Sequence, residues 1–154
     1  MTYIRPHLEY AIQAWSPHLQ GDIDKLEAVQ DRVTKTISTI SHLSAEERRS
    51  ALRITSLKDR RERGDLIQQF KFSIGQEVIN WHCPQYAAPS LSVQGPAGAI
   101  RGHTKRLGGP TVKDCAVRRN FFTNRVVDPW NDLPQHVVDA PSVNCFKNRY
   151  DELP

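Results

Sequence analysis

Proline and glycine are concentrated in one stretch of this chain, and that stretch limits how the rest can fold. Between residues 81 and 110 of the 154, one or the other recurs in every short window, at Pro84, Pro89, Gly95, Pro96, Gly98, Gly102, Gly108, Gly109 and Pro110. Proline removes a backbone donor and glycine leaves the backbone unrestricted, so no long helix or central strand is expected there. The pattern predicts three parts: a helical bundle over 1–75, a loop or linker over 76–110, and a basic helical segment over 111–154.

The first 75 residues show the periodicity of amphipathic helices. Leu8, Ile12 and Trp15 lie at helical spacing and predict a first helix that Pro17 ends. A longer helix is predicted from about 22 to 40, with Asp22 as its N-cap and Gln30 as the single gap in its apolar stripe. The stripe consists of Ile23, Leu26, Val33, Ile37 and Ile40.

N-cap signals predict two further helices. Ser44 with Glu47 three residues later is a capping box, and Ser56 with Asp59 repeats the signal. The second of these helices should meet its stop at Gly75. Its predicted apolar side holds Leu57, Ile67, Phe70 and Ile74, and its charged residues predict a salt-bridged face exposed to solvent: Arg60, Arg61 and Arg63 alternating with Asp59, Glu62 and Asp65.

Helical periodicity returns after the linker. Phe122, Val126 and Trp130 recur every four residues, which is most simply the pattern of core positions, although Pro129 should end or kink that helix. A last helix is predicted from Ser142, its N-cap, to about Glu152, and it places Val143, Phe146 and Tyr150 on one side. The fold class predicted is therefore mainly α: a small bundle, a Pro/Gly-rich middle loop and a short C-terminal helical segment.

No set of residues is typical of a catalytic or metal site. The cysteines, Cys83, Cys115 and Cys145, are roughly thirty residues apart, whereas zinc ligands come in close pairs; their odd number and wide spacing indicate free thiols in a reducing compartment. Asp22 and Asp24 form an Asp-x-Asp pair, but acids are expected at a helix start. Nucleophile-elbow and phosphate-loop motifs are absent. We expect no catalytic residues, metal, cofactor or small-molecule substrate.

The chain also contains no run of roughly 20 apolar residues that could span a membrane, and its first residues lack the layout of a signal peptide. We therefore expect no membrane partner and an intracellular location, in the nucleus or the cytoplasm.

The strongest functional signal is positive charge. Lys and Arg number 21 against 17 Asp and Glu, and the excess is concentrated in residues 101–125, where seven basic residues face one acid. Such a field suits a phosphate backbone. The predicted nucleic-acid-binding residues are Arg101, Lys105, Arg106, Lys113, Arg118, Arg119 and Arg125. Phe121 or Phe122 offers a ring face for a base or sugar.

Short sequence blocks in a fixed order carry a resemblance to the region after the palm in jockey-like LINE (non-LTR) retrotransposon reverse transcriptases. The blocks are Arg5–Tyr10 with Trp15–Pro17, Leu26–Glu27 with Val29–Gln30, Leu57–Arg61 with Arg63–Ile67, Arg101–His103, Phe121–Phe122 with Arg125–Val127, Trp130–Asn131 with Leu133–Pro134, and Ala140–Asn144 with Phe146–Lys147. The resemblance implies a thumb over the first 75 residues and a trailing region over about 100–154.

That resemblance implies a chain without catalysis of its own. Polymerisation needs metal-binding carboxylates, which in this family sit on a Tyr-x-Asp-Asp turn, and no Asp-Asp pair occurs here. The partners implied are RNA or an RNA:DNA hybrid and the palm domain of the parent RNA-directed DNA polymerase. The residues leave two alternatives open, a domesticated helical protein-interaction module and a functionless remnant of the element.

Overall fold

The computed structural model describes residues 4–78, 102–108, 112 and 115–153, and over these residues the fold is mainly helical. No β-strand occurs in these described ranges. The helices are α1 Arg5–Glu9, α2 Ile12–Trp15, α3 Gln20–Lys35, α4 Ala45–Ala51, α5 Leu57–Ser73, α6 Ala116–Arg119, α7 Phe122–Arg125, α8 Val127–Asn131, α9 Gln135–Val138 and α10 Val143–Asp151, with a 3-10 turn at Ser38–Ile40. The fold class predicted from the sequence is confirmed. Residues 79–101 of the predicted linker, with 109–111, lie outside the described residues.

Three helix starts carry the side-chain caps that the sequence predicts. The Ser44 hydroxyl accepts a hydrogen bond from the Glu47 amide at 3.3 Å, and the Glu47 carboxylate accepts one from the Ser44 amide at 2.8 Å, which completes the capping box of α4. Ser56 and Ser142 accept from the amides three residues further on, at 3.0 and 3.2 Å, before α5 and α10. Each cap satisfies an N–H group that the first helical turn leaves unpaired.

Gly75 follows the end of a helix as predicted, whereas the break expected at Pro129 lies three residues before it. The helix α5 ends at Ser73, and Gly75 follows with a φ of 70°, a left-handed conformation that suits a residue without a side chain. The predicted helix around Pro129 is divided into α7 and α8 at Val126. Pro129 lies in the first turn of α8, where a missing N–H costs no internal hydrogen bond.

The predictions for the first two helices were partly wrong. The predicted helix through Leu8 and Trp15 is two short helices, separated at Ala11, whose φ is 49°. The helix α3 begins at Gln20 and ends at Lys35, so Asp22 lies in its first turn instead of capping it. There the carboxylate still complements the helix dipole, and it accepts a hydrogen bond from Lys25 Nζ at 3.0 Å.

The chain forms two compact units, Met1–Arg63 and Gly64–Pro154, and the division falls within α5. The interior of the first unit is largely polar. Its buried apolar side chains are Ile12 and Leu57, whereas its buried polar side chains are Gln30, Thr34, Arg48 and Arg61. Burying such groups is costly unless hydrogen bonds replace those to water.

The prediction for Gln30 was wrong. It was expected to interrupt the buried face of α3, but its side chain lies in the interior. Its Oε1 accepts two hydrogen bonds from the Arg5 guanidinium, both at 3.1 Å, and its Nε2 donates to the Thr55 carbonyl at 3.4 Å. Ile37, a member of the predicted stripe, is exposed, as is Val29. The apolar spacing located α3 but did not identify its buried face.

The predicted solvent face of α5 is only partly correct, because Asp59 and Glu62 are exposed but Arg61 and Asp65 are buried. Arg61 is buried, and its two terminal nitrogens have no hydrogen-bond partner. Burial lowers the pKa of this guanidinium, and the Glu27 and Glu9 carboxylates oppose that shift. Its neighbour Arg60 is half-buried and holds Glu9, with Nη2 donating to Oε2 at 2.7 Å. Alternating charges on a helix therefore belong here to a partly buried network.

The second unit contains a true apolar core. Phe146 lies at its centre, stacked on Phe70 with ring centroids 4.5 Å apart and on Trp130 at 6.2 Å. The core residues are Leu66, Phe70, Leu107, Phe122, Val126, Val127, Trp130, Leu133, Val137, Val138, Ala140 and Phe146. Val143 and Tyr150 pack against this core as predicted, whereas Ile74, expected on the apolar side of α5, is exposed.

Candidate nucleic-acid interface

The predicted basic residues occupy three kinds of environment. Arg118 and Arg119 lie on α6 and are exposed, while Lys105 and Arg106 are half-buried in the segment 102–108. Arg125 is largely buried in the second unit, its side chain 17% exposed. Arg101 and Lys113 lie outside the described residues.

Helix α6 and the residue pair after it form the exposed part of the basic segment. Both arginines of α6 are solvent-accessible, and Val117 and Phe121 are 58% and 55% exposed. The next residue, Phe122, turns into the core and is 9% exposed. The two phenylalanines therefore have different roles, because only the ring of Phe121 is presented to solvent. We call Val117, Arg118, Arg119 and Phe121 the α6 surface.

The turn that presents the α6 surface is held by side chains bonded to its backbone. Asn120 Nδ2 donates to the Ala116 carbonyl and Asn124 Nδ2 donates to the Arg118 carbonyl, each at 2.7 Å. Arg125 Nη1 donates to the Asn120 carbonyl at 2.9 Å. These bonds satisfy carbonyl groups at the end of a one-turn helix, which leaves most of its carbonyls without partners within the helix. The exposed groups thus stand on a turn with a defined conformation.

Arg125 is anchored on its other side by Asp65, sixty residues earlier. Its Nε and Nη2 donate to the two carboxylate oxygens at 2.8 and 3.0 Å, a bidentate pair. Its guanidinium carbon also lies 5.9 Å from the centre of the Phe122 ring. Burial raises the pKa of Asp65, with Arg125 opposing the shift. The guanidinium of Arg125 is thus used in stabilising the turn. This distinguishes Arg125 from the other residues predicted to contact nucleic acid.

The segment 102–108 is docked by polar side chains from α8 and α9. Asn131 Oδ1 accepts a hydrogen bond from the Leu107 amide at 2.8 Å, and Asn131 Nδ2 donates one to the Leu107 carbonyl at 3.1 Å. The two bonds resemble those that a neighbouring strand would make. Trp130 Nε1 donates to the Lys105 carbonyl at 2.8 Å. Gln135 makes a similar double contact with Thr104. An irregular segment thereby has its backbone polar groups satisfied against the core.

His103 fixes the start of this segment from a buried position. The Lys105 amide donates to its Nδ1 at 3.2 Å, so the proton of the neutral ring is on Nε2, which donates to the Trp130 carbonyl at 2.8 Å. Burial lowers the pKa of His103; Arg106 and Lys105 add to this effect, while the carbonyl of Trp130 and Asp139 oppose it. A neutral histidine at this position is a structural link.

The two cations of this segment differ from those of α6. Lys105 Nζ donates to the Val138 carbonyl at 3.0 Å and lies 3.8 Å from an Asp139 carboxylate oxygen, so part of its charge is compensated. Arg106 packs over Gly102, whose φ of 130° is a backbone conformation that residues with a side chain rarely adopt. The α6 surface therefore carries the most accessible positive charge of the described site residues.

Sequence reasoning missed the docking of 102–108 and the Asp65–Arg125 pair. The available signal was weak: a Trp-Asn dipeptide, in which an amide side chain follows a core aromatic.

Within the described ranges, no group of three metal-ligating side chains comes together, and no helix is long and apolar enough to cross a membrane. Comparisons with protein-family models, with curated proteins and with solved structures give no match for this chain.

Proposed function

We propose that this chain is a non-catalytic C-terminal part of a LINE-type reverse transcriptase and binds the phosphate backbone of RNA or an RNA:DNA hybrid through the α6 surface. The observation that carries the proposal is the pairing of two exposed arginines with an exposed aromatic ring on one turn. Arg125, in the same basic segment, is already balanced by Asp65.

The physical basis is the release of counterions. Each phosphate that an arginine neutralises frees condensed cations, so the affinity falls steeply as salt is added. Guanidinium groups suit this role because they present several donors in a plane and stay charged at every physiological pH. The α6 arginines meet both requirements, and Lys105 and Arg106 extend the positive field with a smaller contribution.

Two of the sequence blocks that carry the resemblance pack against each other. Gly102 and His103 belong to one block and Trp130 and Asn131 to another, twenty-seven residues further on. His103 bonds to the Trp130 carbonyl, and Asn131 clamps the same segment at Leu107. Short sequence blocks that contact one another have a structural reason to occur together.

The experiment is a salt titration of binding, followed by fluorescence anisotropy with labelled RNA and with an RNA:DNA hybrid. Affinity should fall between about 50 mM and about 200 mM salt. Replacing Arg118 and Arg119 by alanine should reduce the slope of log affinity against log salt by roughly 1.4 on a single strand, since each phosphate contact contributes about 0.7.

A matched control removes the same charge elsewhere. Arg32 and Lys35 are an exposed basic pair in the last turn of α3. Their double replacement by alanine should leave the slope nearly unchanged. Undetectable binding at low ionic strength, salt-independent binding, or an equal effect of the two double variants would refute the proposal.

A protein-docking function is the second candidate, because the first unit exposes large apolar side chains. Tyr10 is 78% exposed, Leu19 59% and Trp15 41%. Exposed apolar area invites association. Static light scattering tests this reading: concentration-dependent growth in mass that Leu19→Glu abolishes would support it, and a monomer at all concentrations would count against it.

A further inference from the structure

Phe121 is the feature of the α6 surface that phosphate binding leaves unexplained. A phosphate backbone needs only donors and positive charge, yet a phenyl ring more than half exposed follows the two exposed arginines within three residues of the chain. The adjacent Phe122 shows that this unit has a core able to take a phenylalanine. Leaving the ring of Phe121 in water forgoes the stabilisation that burial would bring.

The backbone of Phe121 is fixed by hydrogen bonds on both sides of the turn. Its amide donates to the Arg118 carbonyl at 3.2 Å, and its own carbonyl accepts from the Asn124 and Arg125 amides, both at 2.9 Å. Phe121 is thus the N-cap residue of α7, with an extended φ of −62° and ψ of 147°. The side-chain bonds of Asn120, Asn124 and Arg125 hold the turn around it, and the ring stays 55% exposed.

We infer that Phe121 is a stacking platform for an unpaired nucleobase, so that the α6 surface binds single-stranded nucleic acid in preference to a duplex. This inference rests on the proposed function, because the arginines must first hold the strand. An exposed ring two residues after a pair of exposed arginines reproduces the combination that single-strand sites use, in which cations follow the backbone and an aromatic face receives a base. In a duplex the bases are already stacked and paired, so the ring has nothing to receive.

The positive charge of the α6 surface indicates which kind of partner contacts the Phe121 ring. Val117, four residues before Phe121, adds a second exposed apolar side chain to the surface. A purely apolar partner would have to desolvate the flanking guanidinium groups without compensating them, which is unfavourable. A nucleotide supplies a planar apolar face and a negative charge together. The chemistry recognised is therefore a base attached to a phosphodiester, common to RNA and DNA strands.

The experiment compares normal and abasic oligonucleotides of about 10 nucleotides, within the range of single-strand sites. Abasic strands keep every phosphate and remove every base. With base-containing strands, Phe121→Ala should weaken binding by about 5-fold to about 150-fold, the range for the stacking of one base, and Phe121→Trp should retain affinity. With abasic strands, Phe121→Ala should have no effect. Parallel ribo- and deoxyribo-oligonucleotides identify which strand type supplies the base.

Two controls isolate the ring. Phe121→Leu keeps an apolar side chain without a π face and should lose most of the affinity that Phe121→Ala loses. Tyr10→Ala removes an even more exposed aromatic, 78% against 55% for Phe121, from the first unit and should change nothing. Circular dichroism should show wild-type melting for the Phe121 variants, since the ring is outside the core.

The outcomes separate this inference from the proposed function. If Arg118 and Arg119 replacements weaken binding but Phe121→Ala does not, or if Phe121→Ala weakens abasic and base-containing strands equally, the stacking platform is overturned and phosphate binding stands. If the arginine replacements leave binding to both kinds of strand unchanged, phosphate binding itself is refuted. Equal affinity of wild type for single strands and for an RNA:DNA hybrid with closed ends would also overturn the single-strand preference.

Discussion

Replacing Asp65 by asparagine is the sharpest test of how the second unit is held together. The change keeps the size and shape of the side chain and removes its charge. Arg125 then loses one of its two charge-assisted hydrogen bonds, because an amide offers a single oxygen acceptor. The pair joins α5 to α7 across sixty residues, so the loss affects the tertiary packing and leaves each helix locally intact.

The size of the effect follows from burial. The side chains of Asp65 and Arg125 are 8% and 17% exposed, so both charges are largely removed from water. Removing one partner of a buried pair costs about 3–5 kcal/mol, and the remaining exposure of Arg125 places this case at the lower end, about 3 kcal/mol. In a chain of this size that corresponds to a loss of roughly 12 °C in Tm.

Urea unfolding followed by circular dichroism measures the change, with a second variant as its control. Replacing both residues, Asp65→Leu with Arg125→Met, removes both charges and should recover most of the stability lost in the single variant, because the desolvation cost disappears with the pair. It still loses the bond from Arg125 to the Asn120 carbonyl, about 1 kcal/mol. If Asp65→Asn unfolds within 1 kcal/mol of wild type, the pair is solvated and the reasoning fails.

Three further predictions follow from buried polar groups. Burial lowers the pKa of His103 in the folded state, so its contribution to stability is complete above the unfolded value of 6.5 and is lost as the pH falls below it. The difference between the urea midpoints at about pH 7.5 and about pH 5.5 should therefore be larger for wild type than for His103→Gln. Equal differences in the two proteins would contradict this. Asn131→Leu removes the partner of the Leu107 amide and carbonyl and should lower the free energy of unfolding in urea by about 2 kcal/mol. An unchanged urea midpoint would show that these two hydrogen bonds do not stabilise the segment 102–108. Gln30→Leu should destabilise the first unit by about 1–3 kcal/mol, since Arg5 loses both of its bonds to Oε1; a higher melting temperature would show that this interior accepts apolar groups.

The predictions that were confirmed depend on interactions between residues close in the chain. Ser44, Ser56 and Ser142 cap the amides three residues ahead, and Gly75 adopts a left-handed conformation that glycine reaches easily because it has no side chain. Proline at 129 likewise acts on its own helix. These effects involve a few consecutive residues, so the sequence contains everything needed to foresee them.

The candidate site was located by composition but resolved only by packing. A run of basic residues led to the prediction of phosphate contacts, and it could not separate Arg125 from Arg118 and Arg119, because all three carry the same charge. Their difference comes from Asp65, which the chain brings back from another helix. Adjacent Phe121 and Phe122 were equally ambiguous until the α6–α7 turn directed one ring outward.

By itself, then, the sequence determined the mainly helical fold, the caps and breaks of its helices, and the location of its positive charge. Only the tertiary structure decided which side chains are buried, as Gln30 and Arg61 show against their helical patterns, and which charges are already neutralised. The physical reason is range. Helix propensity and capping act over three or four residues, whereas burial and ion pairing depend on groups that lie far apart in the chain and meet only when it folds.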